Sequence, residues 1–491
     1  MKIAFIIPEN GIKGEKSFYD YKFFSRFLFS KKYFSYLLAV PTLVSLTPSE
    51  HEVRIFDENI EDIDYDWGAD LVAISVRTMF ATRAYAITKK FKERGVKTIL
   101  GGIHPSMRTD EALIHCDSVV VGEAEGVWLQ VLEDAKNNKL KKTYKANTPT
   151  DLKACSPPAR SAMRKDKYFS DIVQTTKGCP FHCEFCSVYS FDGQKIRNKT
   201  VGQVIEEIAE ISGTTVKYKK KSIFFADDNI IANKPFAKEL FIALKPYNLN
   251  WSCQASINIA QEEELLTLMK ASGCGAILVG LESVSEENLS QMDKGINLKH
   301  DYLESIKKIQ SHGIMVHGSF ILGYDFDTEK SFDELIDFIE KSKLLMPLIN
   351  ILTPFPGTKL FDRFEKDKRI LHNEWDKFDG KTTVFTPLKM TADELTAGHR
   401  RVIRALYSFD AIEKKLNHYW DIDFWKKSNE VDPISFKYRM LFSLRLTSLL
   451  FSTNFKRSKF ILKLLPKILF DKRVRISTIL TLMAYNDYAY S

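Results

Sequence analysis

Three cysteines, Cys179, Cys183 and Cys186, lie close together in the sequence, and Phe185 precedes the last of them. Their spacing lets three thiolates wrap one face of an iron–sulfur cluster, and thiolates are the ligands that such clusters prefer. A cubic [4Fe-4S] cluster then keeps one iron open for a further ligand. The motif therefore predicts an iron–sulfur centre in which these cysteines are both metal-binding and catalytic residues.

A structural zinc site and three inert buried thiols are the alternatives. Zinc usually takes four ligands in paired motifs, whereas here His182 lies inside the loop and no second pair follows. The seven cysteines are an odd number with one tight cluster, which is not typical of a disulfide framework. The short apolar run at the N-terminus is not typical of a signal peptide, so we expect a cytoplasmic protein.

The elements that must position the motif begin with an alternating series over residues 1–145. Apolar runs predict strands at 2–8, 52–57, 71–76, 98–102 and 118–122, with helices at 37–46, 82–93 and 125–136. This alternation predicts a doubly wound parallel sheet, which binds ligands beyond the carboxyl ends of its strands. The candidate binding residues at those ends are Asn10, Ser75, Gly101, Gly102, His104, Gly122 and Glu123.

A second alternating series follows a linker at 146–167, in a stretch that is rich in lysine from residue 139 onward. Strands predicted at 171–176, 222–227, 250–256, 276–282, 315–322 and 348–353, with helices between them, indicate a partial (β/α)6 barrel of TIM type over 168–360. The cysteine motif follows the first of these strands. The polar or glycine positions at later strand ends are Asp227, Asp228, Ser256, Glu282 and Gly323.

The remaining residues, 361–491, are expected to be mainly helical, with helices at 392–415 and 436–480. Residues 436–480 hold eleven Lys or Arg and one Asp, so this segment carries a net charge of +10 within a chain of net +8. Its basic residues alternate with apolar ones, and residues 16–36 hold ten aromatic and five basic residues. Peripheral contact with an anionic membrane, ordinary packing with a solvated basic face and, less well supported, nucleic-acid binding are the open interpretations. No run approaches the roughly 18 apolar residues of a membrane span.

The spacing of the cysteines and the aromatic Phe185 resemble the radical SAM (S-adenosylmethionine) superfamily, over residues 168–360. The resemblance implies reductive cleavage of SAM at a [4Fe-4S] cluster, with electrons from a donor such as flavodoxin or ferredoxin. It implies that Phe185 lies along the adenine and that Asp228, Ser256, Glu282 and Gly323 contact SAM. A surface acid near a helix start is the alternative for Glu282, and turn chemistry is the alternative for the pair Asp227 and Asp228.

The N-terminal series resembles the cobalamin-binding domain of one large subgroup of that superfamily. No Asp-x-His-x-x-Gly segment supplies an imidazole to cobalt, so the lower ligand stays open; His104 is a candidate, although a polar loop position is the more ordinary interpretation. A flavodoxin-like domain without cofactor is the alternative. The stretch 351–358 and the stretch 375–380 resemble the C-terminal extension of a narrower subfamily that includes the hopanoid C-2 methylases.

Together these resemblances imply an enzyme that methylates an unactivated carbon of a lipid-like substrate through methylcobalamin. A cobalamin-dependent cyclase or rearrangement enzyme is the alternative within the same chemistry. A non-catalytic sensor is the alternative of another class, and the intact cysteine triad argues against it. A methylthiotransferase acting on tRNA is disfavoured, because the N-terminal region has no second cysteine triad.

Overall fold

The computed structural model describes residues 1–9, 33–213, 222–427, 455–470 and 476–490. Within these ranges the chain forms two six-stranded parallel sheets, one after the other, and ends in a helical region. The candidate residue Asn10, most of the aromatic stretch 16–36 and residues 428–454 of the basic region lie outside the described residues.

The first sheet has the strand order β2-β1-β3-β4-β5-β6, and all its pairings are parallel. Its strands are β1 (Lys2–Ile7), β2 (Glu52–Asp57), β3 (Leu71–Ser75), β4 (Lys97–Gly101), β5 (Ser118–Val121) and β6 (Thr143–Lys145). Its helices are α1 (Ala39–Leu46), α2 (Ala81–Lys92), α3 (Ile103–Met107), α4 (Thr109–His115) and α5 (Trp128–Lys136). Separate apolar cores cover its two faces, so the predicted doubly wound architecture is confirmed.

The second sheet has the order β14-β13-β12-β11-β10-β7, again entirely parallel, which confirms the predicted partial barrel. Its strands are β7 (Asp171–Val173), β10 (Ser222–Phe225), β11 (Asn250–Ala255), β12 (Cys274–Glu282), β13 (Met315–Leu322) and β14 (Leu348–Ile351). A small antiparallel hairpin of β8 (Thr176–Lys177) and β9 (Arg197–Asn198) flanks the cysteine loop. The helices are α6 (Val188–Phe191), α7 (Val201–Gly213), α8 (Lys234–Leu244), α9 (Glu263–Ser272), α10 (Glu286–Gln291), α11 (Tyr302–Ser311) and α12 (Glu329–Ser342).

The C-terminal region is helical as expected, with different boundaries. Its helices are α13 (Lys359–Lys366), α14 (Ala392–Leu406), α15 (Phe409–Asp421), α16 (Phe424–Lys427), α17 (Phe455–Phe470) and α18 (Ile476–Ala489). The single helix predicted at 392–415 was wrong, because Ser408 caps a new helix by accepting a hydrogen bond from the backbone of Ala411. No helix within the described ranges is long and apolar enough to cross a membrane.

Two further predictions for the first sheet were wrong. The sixth strand, β6, lies in the lysine-rich stretch that was expected to be irregular; it pairs with β5 and buries only Tyr144. The segment after β4 is helical rather than a loop, since α3 and α4 follow one another there. Both elements are short, and short elements leave little periodicity in a sequence.

Candidate iron–sulfur and SAM site

The cysteine loop is held in place by backbone contacts at its glycine. Gly178 has a φ of +91°, and a Cβ there would stand 2.6 Å from the carbonyl oxygen of Lys195, so glycine is required. The amide of Cys179 donates to the carbonyl of Gly193 at 3.2 Å, and the amide of Cys186 donates to the carbonyl of Cys183 at 3.0 Å. The loop therefore begins directly at the carboxyl edge of the second sheet.

The three thiols are withdrawn from water. Cys183 is buried, Cys179 and Cys186 are half-buried, and burial raises the pKa of all three, to about 12 for Cys186. Among the described residues no three His, Cys, Asp or Glu side chains lie close enough together to hold a metal ion. The donor set is nevertheless the one that an open-sided [4Fe-4S] cluster takes, and metal binding releases the thiol protons.

A buried ion pair lies beside the loop. The Nζ of Lys294 is 3.0 Å from Oε1 of Glu282 and 5.8 Å from the ring centroid of Phe185. Glu282 ends β12 with a φ of +65°, an uncommon conformation for a non-glycine residue and one that clusters at functional sites. A Cβ at Gly280 would collide with the Glu282 carboxylate, so glycine there lets the carboxylate fold back towards Lys294. The structure thus brings Phe185 and Glu282 together, as the SAM-binding prediction requires.

The neighbouring aspartates Asp227 and Asp228 differ in their surroundings. Oδ1 of Asp227 accepts hydrogen bonds from the backbone and the hydroxyl of both Thr175 and Thr176, which ties β10 to the segment that leads into the cysteine loop. Oδ2 of Asp228 is buried without a hydrogen-bond partner among the described residues. Burial, together with Asp192 and Asp227, raises the pKa of Asp228 to about 7. One oxygen of Asp227 is thus fully used inside the protein, and Oδ2 of each aspartate is buried without a hydrogen-bond partner among the described residues. Contact of Asp228 with SAM stays a prediction.

The other two predicted SAM residues differ in their placement. Ser256 lies just after β11, where its hydroxyl accepts from the amide of Asn229 at 3.0 Å. Gly323 follows β13 with a φ of +103°, and a Cβ there would stand 2.6 Å from the side chain of Leu395. The close approach of α14 accounts for this glycine without a ligand. Contact of either residue with SAM stays a prediction.

A second set of predicted residues meets at the carboxyl edge of the first sheet. Ser75 and Gly101 are paired neighbours at the ends of β3 and β4, and Gly102 follows with a φ of +97°. Gly122, after β5, has no atom within 4 Å of the place where a Cβ would stand. A Cβ at Gly102 would stand 2.9 Å from the carbonyl oxygen of Val76, so of these glycines Gly122 leaves the most space. We call this edge, with Ser75, Gly101, Gly102 and Gly122, the cradle; glycine there lets the backbone approach a ligand closely.

Ion pairs join this cradle to the cysteine loop. The Nζ of Lys177 lies 2.8 Å from a carboxylate oxygen of Glu125 and 3.3 Å from one of Glu123, and Arg197 donates to Glu123 at 2.9 Å. Burial alone raises the pKa of Glu123, but Arg197 and Lys177 outweigh it and hold the pKa at about 2. The carboxyl edges of the two sheets therefore face each other across a polar seam, and Glu123 is committed to that seam.

His104 does not occupy the polar loop position that was expected. It lies in α3 with no exposed surface, and its Nε2 is 3.0 Å from the hydroxyl of Tyr85. The ring of Trp375 packs edge-on against it at 5.1 Å, and the indole nitrogen donates to Glu111. This side chain is enclosed by protein, and its contacts attach the C-terminal extension to the first sheet.

Sequence reasoning missed the cations of the site, Lys177, Lys294 and Arg363. Arg363, from α13, donates to Glu184 inside the cysteine loop at 2.6 Å and to Asp325 beyond β13. The extension thereby clamps the loop to the barrel. Lysine and arginine are mostly solvated, so nothing in the sequence separates these three from their 68 counterparts; their position beside the cysteine loop is visible only in the structure.

A sheet of six parallel strands with a three-cysteine loop at its carboxyl edge defines a class of enzyme, the radical SAM enzymes. The chain belongs to the radical SAM superfamily, whose model matches residues 173–339. Residues 358–489 match a domain of unknown function (DUF4070). The predicted family and enzyme class are confirmed.

Its relatives include methyltransferases. The chain is 34% identical over 400 residues to bacteriochlorophyllide d C-12(1)-methyltransferase of Chlorobaculum tepidum, spanning 79% of this chain and 86% of that one. It is 30% identical over 345 residues to hopanoid C-2 methylase of Rhodopseudomonas palustris, spanning 68% and 64%. The fold is similar to that of the cobalamin-dependent SAM radical enzyme OxsB with aqua-cobalamin and SAM bound (TM-score 0.62, 13% identity, 99% of this chain and 78% of that one). It is also similar to TsrM from Kitasatospora setae with cobalamin and a [4Fe-4S] cluster bound (TM-score 0.55, 13% identity, 74% and 75%).

Proposed function

We propose that this enzyme transfers a methyl group to an unactivated carbon, using a [4Fe-4S] cluster, SAM and cobalamin. The observation that supports the proposal is the polar seam, because its ion pairs join the carboxyl edge that carries the cradle to the edge that carries the cysteine loop. Cys179, Cys183 and Cys186 would hold the cluster, which supplies the electron that cleaves SAM. Cobalamin in the cradle formed by Ser75, Gly101, Gly102 and Gly122 would supply the methyl group. We place the domain boundaries at 145, 167 and 360.

Side chains of this chain would bind and orient SAM and separate the two cofactor sites from water. Glu282 and Phe185 bind the aminoacyl or ribose part and the adenine of SAM, and Lys294 fixes the orientation of both. Asp228 offers a carboxyl group that is neutral for part of the time near pH 7 and therefore either donates or accepts a hydrogen bond. The seam of Lys177, Glu123 and Arg197 excludes water between the two cofactor sites, where a carbon radical must not meet competing donors.

The substrate that we propose is a large, mostly apolar ring system. The printed activities of the two relatives, on a bacteriochlorophyllide and on a hopanoid, share this character, and both are methylations of carbon. A lipid-like polycycle therefore remains the proposed class, with tetrapyrroles included in it. Electrons would come from a small donor such as flavodoxin or ferredoxin.

The methyl transfer is tested with SAM that carries a deuterated methyl group. Anaerobically reconstituted full-length protein, supplied with cobalamin and candidate polycycles, should form 5′-deoxyadenosine and a product heavier by the labelled methyl. Gly122→Leu should fill the cradle and weaken cobalamin binding, while Gly68→Leu, at an open turn of similar φ on the same domain, should not. A product without label would identify a cyclase or rearrangement enzyme instead.

Peripheral membrane contact is a separate proposal, and it rests on the surface of α17. Phe460, Ile461 and Leu464 pack into the core, so the apolar side of this helix is largely used by the protein. What remains outward includes Phe455, which is 81% exposed, and the side chains of Lys456 and Lys459.

We expect binding to anionic vesicles at low salt, weakening as salt rises. Each lysine near such a surface contributes about 1 kcal/mol. Lys456→Gln with Lys459→Gln should weaken vesicle binding without unfolding. Lys307→Gln with Lys330→Gln, on other helices, is the charge-matched control. Equal binding to neutral and anionic vesicles would contradict the electrostatic contribution.

A further inference from the structure

The second sheet has one face that is sealed and one that is not. Along β11, β13 and β14 burial alternates: one residue in two is buried and packs against the helices, and the residues between them are only half-buried. Gln254, Leu278 and His317 are adjacent in register, as are Gly280, Ser319 and Leu348. Neighbours in register point to the same side of a sheet, so these half-buried residues form one concave face.

The inner face carries mostly apolar side chains and few polar groups. Phe224, Leu278, Ile321 and Leu348 are among its apolar positions, and Ser319 and His317 are among its polar positions. Binding surfaces of this composition take apolar ligands and orient them with a small number of polar contacts. His317 is five residues before the end of β13, roughly 16 Å from the carboxyl edge at 3.3 Å per residue. It therefore lies at the end of the inner face remote from the cysteine loop.

His317 presents a free lone pair on this inner face. Its Nδ1 is 3.4 Å from the carbonyl oxygen of Met346, which can only accept, so Nδ1 carries the proton. Nε2 has no hydrogen-bond partner among the described residues and is not sealed from solvent. Withdrawal from bulk water lowers the pKa of His317, which keeps the ring neutral. An imidazole whose other nitrogen is fixed by a backbone carbonyl is the arrangement found in metal-ligating histidines.

We propose that Nε2 of His317 anchors the substrate on the inner face, at the end remote from the cysteine loop, by donating its lone pair to an electron-pair acceptor in the substrate. Two sources of that acceptor share the chemistry: a metal ion at the centre of a planar macrocycle, and the hydroxyl proton of a polycyclic alcohol. His317 is thus a positioning and specificity residue, and the carbon to be methylated lies at the opposite end of the bound molecule. The inference rests on the proposed function where it concerns methylation of the bound molecule. The binding of that molecule through His317 does not depend on the proposed function.

The test uses the full-length protein reconstituted with cluster and SAM. The probes are zinc pyropheophorbide a, its metal-free form and a hopanoid alcohol. Binding of the zinc chelate through His317 should red-shift its Soret band and exceed the affinity of the metal-free ring by about tenfold or more. His317→Ala should abolish this shift and this difference, and His317→Gln, which restores an acceptor oxygen at a similar place, should retain part of the affinity. His312→Ala is the control, since that ring binds Glu263 on the outer surface.

The arms separate the two sources and the two proposals. A His317-dependent advantage of the zinc chelate supports metal ligation, and a His317-dependent affinity for the alcohol alone supports the hydroxyl. Wild-type protein that binds all three probes without a Soret shift, and whose affinities are unchanged in His317→Ala, overturns the inference. Binding that depends on His317 without methyl transfer supports the inference and contradicts the proposed function. Labelled product formed equally well by His317→Ala supports the proposed function and contradicts the inference.

Discussion

Cys183→Ala is expected to abolish SAM cleavage. The change removes one of three thiolates on a loop whose remaining donors, Cys179 and Cys186, cannot hold an open-sided cluster. Anaerobically reconstituted wild-type protein should bind about four irons per chain, and the variant should bind few and form no 5′-deoxyadenosine above background. The measurement is iron content together with 5′-deoxyadenosine formation under reducing conditions.

Cys155→Ala is the matched control for this loss. Cys155 is a half-buried thiol in the segment between the two sheets, outside the cysteine loop. Its removal should change neither iron content nor 5′-deoxyadenosine formation. A triple variant of the loop cysteines that still cleaves SAM would overturn the assignment of the cluster.

Glu282→Gln is expected to lower both stability and SAM affinity. The side chains of Glu282 and Lys294 are 8% and 14% exposed, so the substitution leaves a buried ammonium without its carboxylate. Breaking a buried pair by removing one partner costs about 3 kcal/mol in the free energy of unfolding. If the carboxylate also binds SAM, affinity falls as well. Denaturant unfolding and equilibrium binding of SAM measure the two effects separately.

The double variant Glu282→Gln with Lys294→Met separates a structural role from a ligand-binding role. Removing the orphaned charge should restore much of the stability, since replacing both partners of a buried pair is often nearly neutral. It should not restore SAM affinity. Recovery of both would show that Glu282 only neutralises Lys294. Glu264→Gln, in a surface pair 2.7 Å from Lys238, should change stability by less than about 1 kcal/mol.

Strand and helix positions were largely predictable from the chain. Apolar runs of four to eight residues placed the strands β2 and β13 at their observed bounds. The alternation of strands with helices predicts parallel sheets for a local reason: each crossover needs a helix of its own between the strands. The elements that were missed, β6, α3 and α4, are short, and a few residues carry too little periodicity.

The site was predictable only in part. The cysteines were predicted because three thiols at fixed spacing have few other uses. Glycines at strand ends were predicted because parallel sheets bind ligands beyond the carboxyl ends of their strands, and their contact with a ligand stays a prediction. The sequence did not distinguish Asp227 from Asp228, since the two are adjacent and chemically identical. Their surroundings differ through the four donors of Thr175 and Thr176, which are brought to Asp227 by the pairing of β10 with β7.

What the sequence by itself determined is therefore the chemistry and the order of the elements: a three-thiolate loop, glycine-rich strand ends and two alternating series. The tertiary structure alone decided which lysine and histidine side chains lie beside these elements. Lys294 meets Glu282 because α10 and the turn after it fold back over β12, and Lys177 meets Glu123 because two sheets come together edge to edge. His317 lies on the inner face because the pleat of β13 points alternate residues inward. Local preferences act over a few residues, whereas burial and charge pairing depend on segments that are far apart in the chain, so these assignments arise only when the chain has folded.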